Sequence, residues 1–145
     1  LLEQQLGSVA YREIATLMVL PRPEPATPVF RAVGLMQQTE PLLRRLHLVV
    51  ERLPAQQLSV QRLADELAVS ARTLARKVKS LTGLAVADQV RLIKLNQAGE
   101  RLLLTADSIS RISVALGYGD ESSFRRTFKH VTGLTPAAYR QQYKL

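Results

Sequence analysis

The sequence contains no cysteine and no tryptophan, only two histidines, and aromatic residues at just 5% of its length. Without cysteine there is no disulfide framework, no thiolate zinc site and no thiol nucleophile. His47 and His130 alone cannot form a histidine metal cluster and leave little for general-base chemistry. Few aromatics beside abundant Leu and Ala favours helices over a β-sandwich, because strands select aromatic and β-branched side chains. No run approaches the roughly 20 apolar residues that span a bilayer. No basic segment followed by an apolar one marks a secretory signal. No P-loop, Gly-x-Ser-x-Gly elbow or metal-spaced cluster occurs. The expectation is a protein that is not an enzyme, with no cofactor and no metal. The first residue is not Met and falls inside a helical pattern, so the chain reads as a piece of a longer cytoplasmic protein.

Acidic charge is also scarce, and unevenly so. Lys and Arg number 20 against 12 Asp and Glu, a formal net charge of +8. Arg12, Arg22 and Arg31 stand against Glu3, Glu13, Glu24 and Glu40 in residues 1–40, a net of −1. The other 17 basic and 8 acidic side chains all lie in residues 41–145, a net of +9. With a pI of about 10.4, the second portion points to a polyanionic partner, most often nucleic acid.

What is present is helical periodicity. Leu2, Leu6, Val9, Ala10, Ile14, Leu17 and Met18 fall on one helix face over residues 1–20, and Pro21 stops it. Four prolines in residues 21–28 make an extended linker, which is expected over 21–40. Seven helices are predicted beyond it: 42–53, 60–68, 71–82, 86–104, 109–116, 121–132 and 136–143. Ser59, Ser70, Ser108, Asp120 and Thr135 are N-cap residues, Pro136 occupies a first helical position, and Gly83, Gly117 and Gly133 are stops. Gly99 is a weak point in the longest helix.

The sequence also repeats. At an offset of 49, Ser59, Arg62 and Leu67 recur as Ser108, Arg111 and Leu116. At an offset of 50, Arg76, Lys79, Thr82, Gly83 and Leu84 recur as Arg126, Lys129, Thr132, Gly133 and Leu134, while Leu74 and Val78 meet Phe124 and Phe128. Each copy is a short helix, a tight turn and a longer basic helix, with Ala64 or Ser113 small enough for close helix approach. These are helix-turn-helix units, at about 59–83 and 108–133, joined by a long helix. The second helix of such a unit is the one that enters the DNA major groove.

At about 100° per residue, Leu74, Val78 and Leu81 form one stripe of the first unit's second helix. Arg72, Arg76 and Lys79 lie opposite. In the second unit Phe124, Phe128 and Val131 form the stripe, with Ser122, Arg126 and Lys129 opposite and Arg125 beside them. Arg suits bidentate bonding to guanine, and Lys suits phosphate. Base readout is therefore expected from Arg72, Thr73, Arg76, Ser122, Ser123, Arg125 and Arg126. Phosphate contact is expected from Lys79 and Lys129, and from Ser70 and Thr135 at their helix N-caps.

Ile109-Ser-Arg-Ile-Ser-Val-Ala-Leu-Gly-Tyr118, Ser122-Ser-Phe-Arg-Arg-Thr-Phe-Lys129 and Gly133-Leu-Thr-Pro-Ala-Ala-Tyr-Arg140 resemble the signature of AraC/XylS-type transcriptional regulators. The resemblance extends over about 41–143. It implies an all-α, seven-helix, double helix-turn-helix domain whose two units ride on a rigid linker helix and read successive major-groove segments of double-stranded DNA. It further implies a bacterial regulator, of the activator kind, with RNA polymerase as a partner. In this family an aromatic usually stands where Val78 is, Pro where Val86 is, Tyr where Gln89 is and Leu where Arg101 is. Residues 6–21 are similar to the closing helix and exit strand of the ThiJ/PfpI-type amidotransferase-like domain that precedes the DNA-binding domain in one branch. Residues 1–20 are then the end of an upstream sensor domain, through which any small-molecule effector acts. The full-length protein is expected to dimerise, and this fragment to be a monomer.

His47, between Leu46 and Leu48, reads as a surface or partly buried structural residue, and His130 falls beside the basic face. Asp65 and Glu66 diverge by about 100° on their helix, so they read as ion-pair partners of nearby Arg. A basic module for non-specific nucleic acid or anionic membrane surfaces is the alternative function. The membrane reading requires large apolar residues on the basic face, where Arg, Lys and Ser stand instead. A protein-only interaction module leaves the duplicated basic positions unexplained.

Overall fold

The computed structural model describes residues 30–31 and 40–144. The helix expected over 1–20 and nearly all of the expected linker lie outside the described residues. From Pro41 to Tyr143 seven α-helices and one 3₁₀ turn follow one another, with no strand among the described residues. They are α1 (Pro41–Arg52), the turn Ala55–Gln57, α2 (Val60–Glu66), α3 (Ala71–Thr82), α4 (Val86–Leu104), α5 (Ile109–Ala115), α6 (Glu121–Thr132) and α7 (Pro136–Tyr143).

Local chemistry sets the boundaries. The hydroxyls of Ser59, Ser70, Ser108 and Thr135 each accept the backbone N–H three residues on, at 3.0–3.1 Å. The Asp120 carboxylate accepts from Ser122 N–H at 3.1 Å. Each of these satisfies one of the orphan donors of a helix start. At the far ends of α3 and α6, Gly83 and Gly133 adopt φ of 79° and 81°. The hydroxyls of Thr82 and Thr132 then bridge back to the Val78 and Phe128 carbonyls and accept from Leu84 and Leu134 N–H. The duplicated Thr-Gly-Leu is thus a repeated C-terminal cap. Helix α2 is two residues shorter than its periodicity suggests, because Ala68 turns left-handed (φ 57°) and Val69 N–H bonds back to the Ala64 carbonyl.

Two hydrophobic cores result. The first joins α1, α2, α3 and the start of α4 through Leu46, Val50, Leu63, Leu74, Val78 and Ile93. The second joins the end of α4 to α5, α6 and α7 through Leu95, Leu102, Ile112, Phe124, Phe128 and Tyr139. Val78 is buried although smaller than the family's usual aromatic, Val86 is buried where the family usually has Pro, and Gln89 is buried where Tyr139 stands in the second unit.

The second core contains a residue from the stretch read as linker. Phe30 is helical and 1% exposed, and its ring lies 6.3 Å from that of Tyr139 and 6.5 Å from that of Phe128. Gly99 makes the room. A Cβ there would stand 3.1 Å from the Phe30 ring and 3.2 Å from the Tyr139 hydroxyl. Continuing the 49-residue offset upstream pairs Gly99 with Val50, which is fully buried. Gly99 is therefore no weak point: α4 runs through it unbroken, and the absent side chain accommodates two aromatic ones.

Between the cores lies a buried polar cluster. His47 is 1% exposed rather than at the surface, and its Nε2 is 3.0 Å from the Glu51 carboxylate. On α4, the Lys94 ammonium donates to Gln97 Oε1 at 3.0 Å, and Gln97 Nε2 donates to the Glu51 carbonyl at 3.2 Å. This ties α1 to the middle of α4 by directional bonds. Burial pulls the Lys94 amine down to about 8, against the stabilising charge of Glu51.

Candidate nucleic-acid interface

Helices α3 and α6 each bury one stripe and expose the other. Leu74 and Val78, like Phe124 and Phe128, are fully buried. Arg72, Arg76 and Lys79 on α3, and Ser122, Arg125, Arg126 and Lys129 on α6, are exposed. Thr73 and Ser123 are half-buried one position on, and Ser70 and Thr135 are exposed caps. The buried stripes anchor each helix, so the basic rows face away from the body of the domain.

The two rows differ in how they are held. Arg72 and Arg76 make no hydrogen bond or ion pair with a described residue, and no acidic residue occupies the first turn of α3. Ser70 Oγ donates to Thr73 Oγ1 at 2.9 Å, which orders the start of α3. Lys79 donates to the Gly83 carbonyl at 2.9 Å, so its charge sits at its own helix terminus, where the dipole is negative. On α6 the basic side chains are partnered. Arg125 binds Glu121 through Nε at 2.6 Å. Arg126 donates to Ser123 Oγ at 3.2 Å, and Ser123 donates to Asp120 at 3.0 Å. The Ser123 hydroxyl, then the Ser122 backbone, hold the Asp120 carboxyl below its ordinary range; Arg125 does the same for Glu121. Both carboxylates are thus charged at neutral pH beside the α6 row. Lys129 carries no such partner.

Sequence reading missed three features of this surface. Lys77 adds a fourth exposed basic residue to α3. The Glu121–Arg125 pair has the i,i+4 spacing of a helix-surface ion pair. Arg140 closes the second unit instead of facing outward: its guanidinium donates to the Leu102 and Thr105 carbonyls at 2.9 and 3.3 Å and caps the end of α4. Glu66 pairs with Arg52 and Arg62, as its position suggested. Among the described residues no cluster of His, Asp or Glu is arranged to hold a metal, and no helix is long and apolar enough to cross a membrane.

A domain with two helix-turn-helix units on one linker helix, each presenting a basic second helix, has recognisable relatives. The family model for a helix-turn-helix domain matches residues 63–142, more than half of the chain. The HTH-type transcriptional activator RhaS of Escherichia fergusonii is 30% identical over 141 residues, which is 95% of this chain and 48% of that protein. An AraC-type transcriptional regulator structure from Chromobacterium violaceum superposes with a TM-score of 0.65 at 27% identity, over 73% of this chain and 95% of that one. The DNA-binding domain of AdpA, solved with a target DNA, gives 0.61 at 29% identity, over 72% and 94% of the two chains. The chain belongs to this helix-turn-helix family, in its AraC type. It spans about half the length, or less, of the curated relatives it matches.

Proposed function

We propose that residues 41–145 form the sequence-specific DNA-binding domain of a transcriptional regulator, which inserts α3 and α6 into successive major-groove segments of one duplex. The observation that carries this is the duplication of outward basic positions, Arg76 with Arg126 and Lys79 with Lys129, on two helices whose opposite stripes are buried. The AdpA domain, a structural neighbour, is recorded with its target DNA, which supports the same mode here. Arg72, Thr73 and Arg76 read bases in one half-site. Ser122, Ser123 and Arg126 read them in the other, with Arg125 freed from Glu121 when it joins them. Lys129 contacts phosphate, as does Lys79 when it leaves the Gly83 carbonyl, and the capped N-termini at Ser70 and Thr135 add backbone donors.

The unpaired arginines of α3 and the acidic first turn of α6 make the α3 half-site the more strongly specified of the two. The protein acts as a regulator and not as an enzyme, in the cytoplasm of a bacterium. An effector acts through an upstream domain, RNA polymerase is a partner, and dimerisation resides outside this fragment.

The test is a binding selection on randomised duplex. Arg76→Ala and Arg126→Ala should each relax a separate half-site, at about 1–3 kcal/mol per lost base contact. The half-sites should lie about one helical turn, roughly 10 base pairs, apart. Uniform loss over the whole site would reduce these arginines to phosphate contacts. Absence of any preferred sequence would leave a non-specific basic module.

A further inference from the structure

The two units share α4, and they also touch at their turns. The Ala55 N–H, in the 3₁₀ turn after α1, donates to the Leu116 carbonyl at 2.9 Å, in the turn between α5 and α6. Beside that bond the two segments leave no room for a side chain on Gly117. A Cβ on Gly117 would lie 2.6 Å from Ala55 N, 2.7 Å from Pro54 Cβ and 2.9 Å from Gln56 Oε1. Gln56 reaches on to Gly119, where a Cβ would be 3.9 Å from its Nε2.

The internal repeat shows that this glycine is more than a turn residue. Gly117 corresponds to Ala68 at the 49-residue offset, and both turns have the same bonding. Val69 N–H bonds to the Ala64 carbonyl and Tyr118 N–H to the Ser113 carbonyl; Ala68 N–H bonds to Asp65 and Gly117 N–H to Val114. Both residues are left-handed, at φ of 57° and 89°. The first unit tolerates a Cβ in that conformation, at the steric cost any side chain meets there. In the second unit a Cβ has no room, because the other unit occupies its place.

We propose that the Pro54–Gln56 turn seated on Leu116–Gly119 is a clamp that fixes the separation of the two recognition helices, making Ala55, Gln56 and Gly117 positioning residues for half-site spacing. This rests on the DNA-reading function proposed above. Joined through α4 alone, the units would be free to rock as that helix bends. A second attachment at the turn that leads straight into α6 removes that freedom. One base pair of duplex is a rise of about 3.4 Å and a rotation of about 35°, so small changes in the angle between units would alter which spacing fits.

Ala55→Pro tests the clamp from the side that leaves both helix-turn-helix units intact. It removes the donated N–H and puts ring atoms against the Leu116 carbonyl. Pro54 is already extended (φ −62°, ψ 151°), as a residue before proline should be, and position 55 opens the 3₁₀ turn. Gln56→Ala is a second, milder variant at an exposed position. In the 145-residue chain, one base pair inserted between the selected half-sites should weaken wild-type binding by about 10- to 100-fold. In Ala55→Pro that penalty should shrink to a few-fold, with affinity for each isolated half-site unchanged. Gln56→Ala should fall between. A readout free of DNA uses the natural absence of cysteine: spin labels on Ser80→Cys in α3 and His130→Cys in α6. Their distance distribution should be narrow in the parent and broad in Ala55→Pro. An unchanged distribution, or an unchanged spacing penalty in a folded variant, overturns the clamp. A narrow-to-broad change without any sequence preference would retain the clamp and overturn the DNA-reading function.

Discussion

Replacing Phe128 with Ala removes the ring at the centre of the second core. Phe128 is fully buried, and its ring centroid lies 5.1 Å from Tyr139 edge-to-face, 5.8 Å from Phe124 and 6.5 Å from Phe30. Rings from the Phe30 segment, from α6 itself and from α7 pack against it, so the space cannot close by moving one side chain. A buried Phe→Ala change costs about 3–5 kcal/mol through lost transfer energy and an unfilled cavity. For a domain of this size each kcal/mol lowers Tm by about 4–8 °C, which gives a fall of at least about 12 °C. The loss should be local. The described tyrosines, Tyr118, Tyr139 and Tyr143, all belong to the second core, so tyrosine near-ultraviolet dichroism reports on that unit while far-ultraviolet dichroism reports on both. Phe128→Ala should lose the tyrosine signal in an earlier transition than the helical signal. A Tm within about 2 °C of wild type would mean that the buried and outward stripes of α6 have been exchanged. Coincident transitions by both probes would mean that the clamp and α4 make the two cores one cooperative unit.

Phe30→Ala should lower the same tyrosine transition by about 3 kcal/mol, measured by urea titration; no effect would remove Phe30 from the core. With a net charge of +9 in residues 41–145 and roughly 6–8 phosphate contacts, affinity for duplex DNA should fall about 10³-fold or more between 50 and 200 mM salt. A log–log slope shallower than about −3 would refute docking at two groove segments. Lys94 releases its proton near 8 in the folded chain and near its ordinary 10.5 in the unfolded one. The unfolded state therefore binds more protons across that window, and stability should rise with pH from 8 to 10.5. Lys94→Met should abolish the rise, and a rise that persists in chemical denaturation of this variant would assign it to another group. Tyr118, which burial pushes up to about 12, should reverse the trend above pH 10.

The elements of this domain were legible because their causes are local. A serine or aspartate N-cap, a glycine at each left-handed stop and apolar stripes at helical spacing predict α3 and α6 to the residue. The offset repeat added the pairing of Arg76 with Arg126 and of Lys79 with Lys129. What periodicity could not show is where distant segments meet. The middle of α4 is buried on nearly every side, so the polar side chains of Lys94, Asn96 and Gln97 lie inside. His47, which reads as peripheral, lies inside as well. Gly99 reads as a flaw until Phe30 is placed beside it, and Gly117 reads as a turn residue until Ala55 is found against it. Lys79 reads as free charge, yet it closes its own helix. Hydrogen bonds and stripes within a turn or two of helix depend on spacing alone, and spacing is written in the chain. Contacts between residues separated by sixty positions depend on how two cores share one helix, and only their packing together decides which side chains the shared space admits.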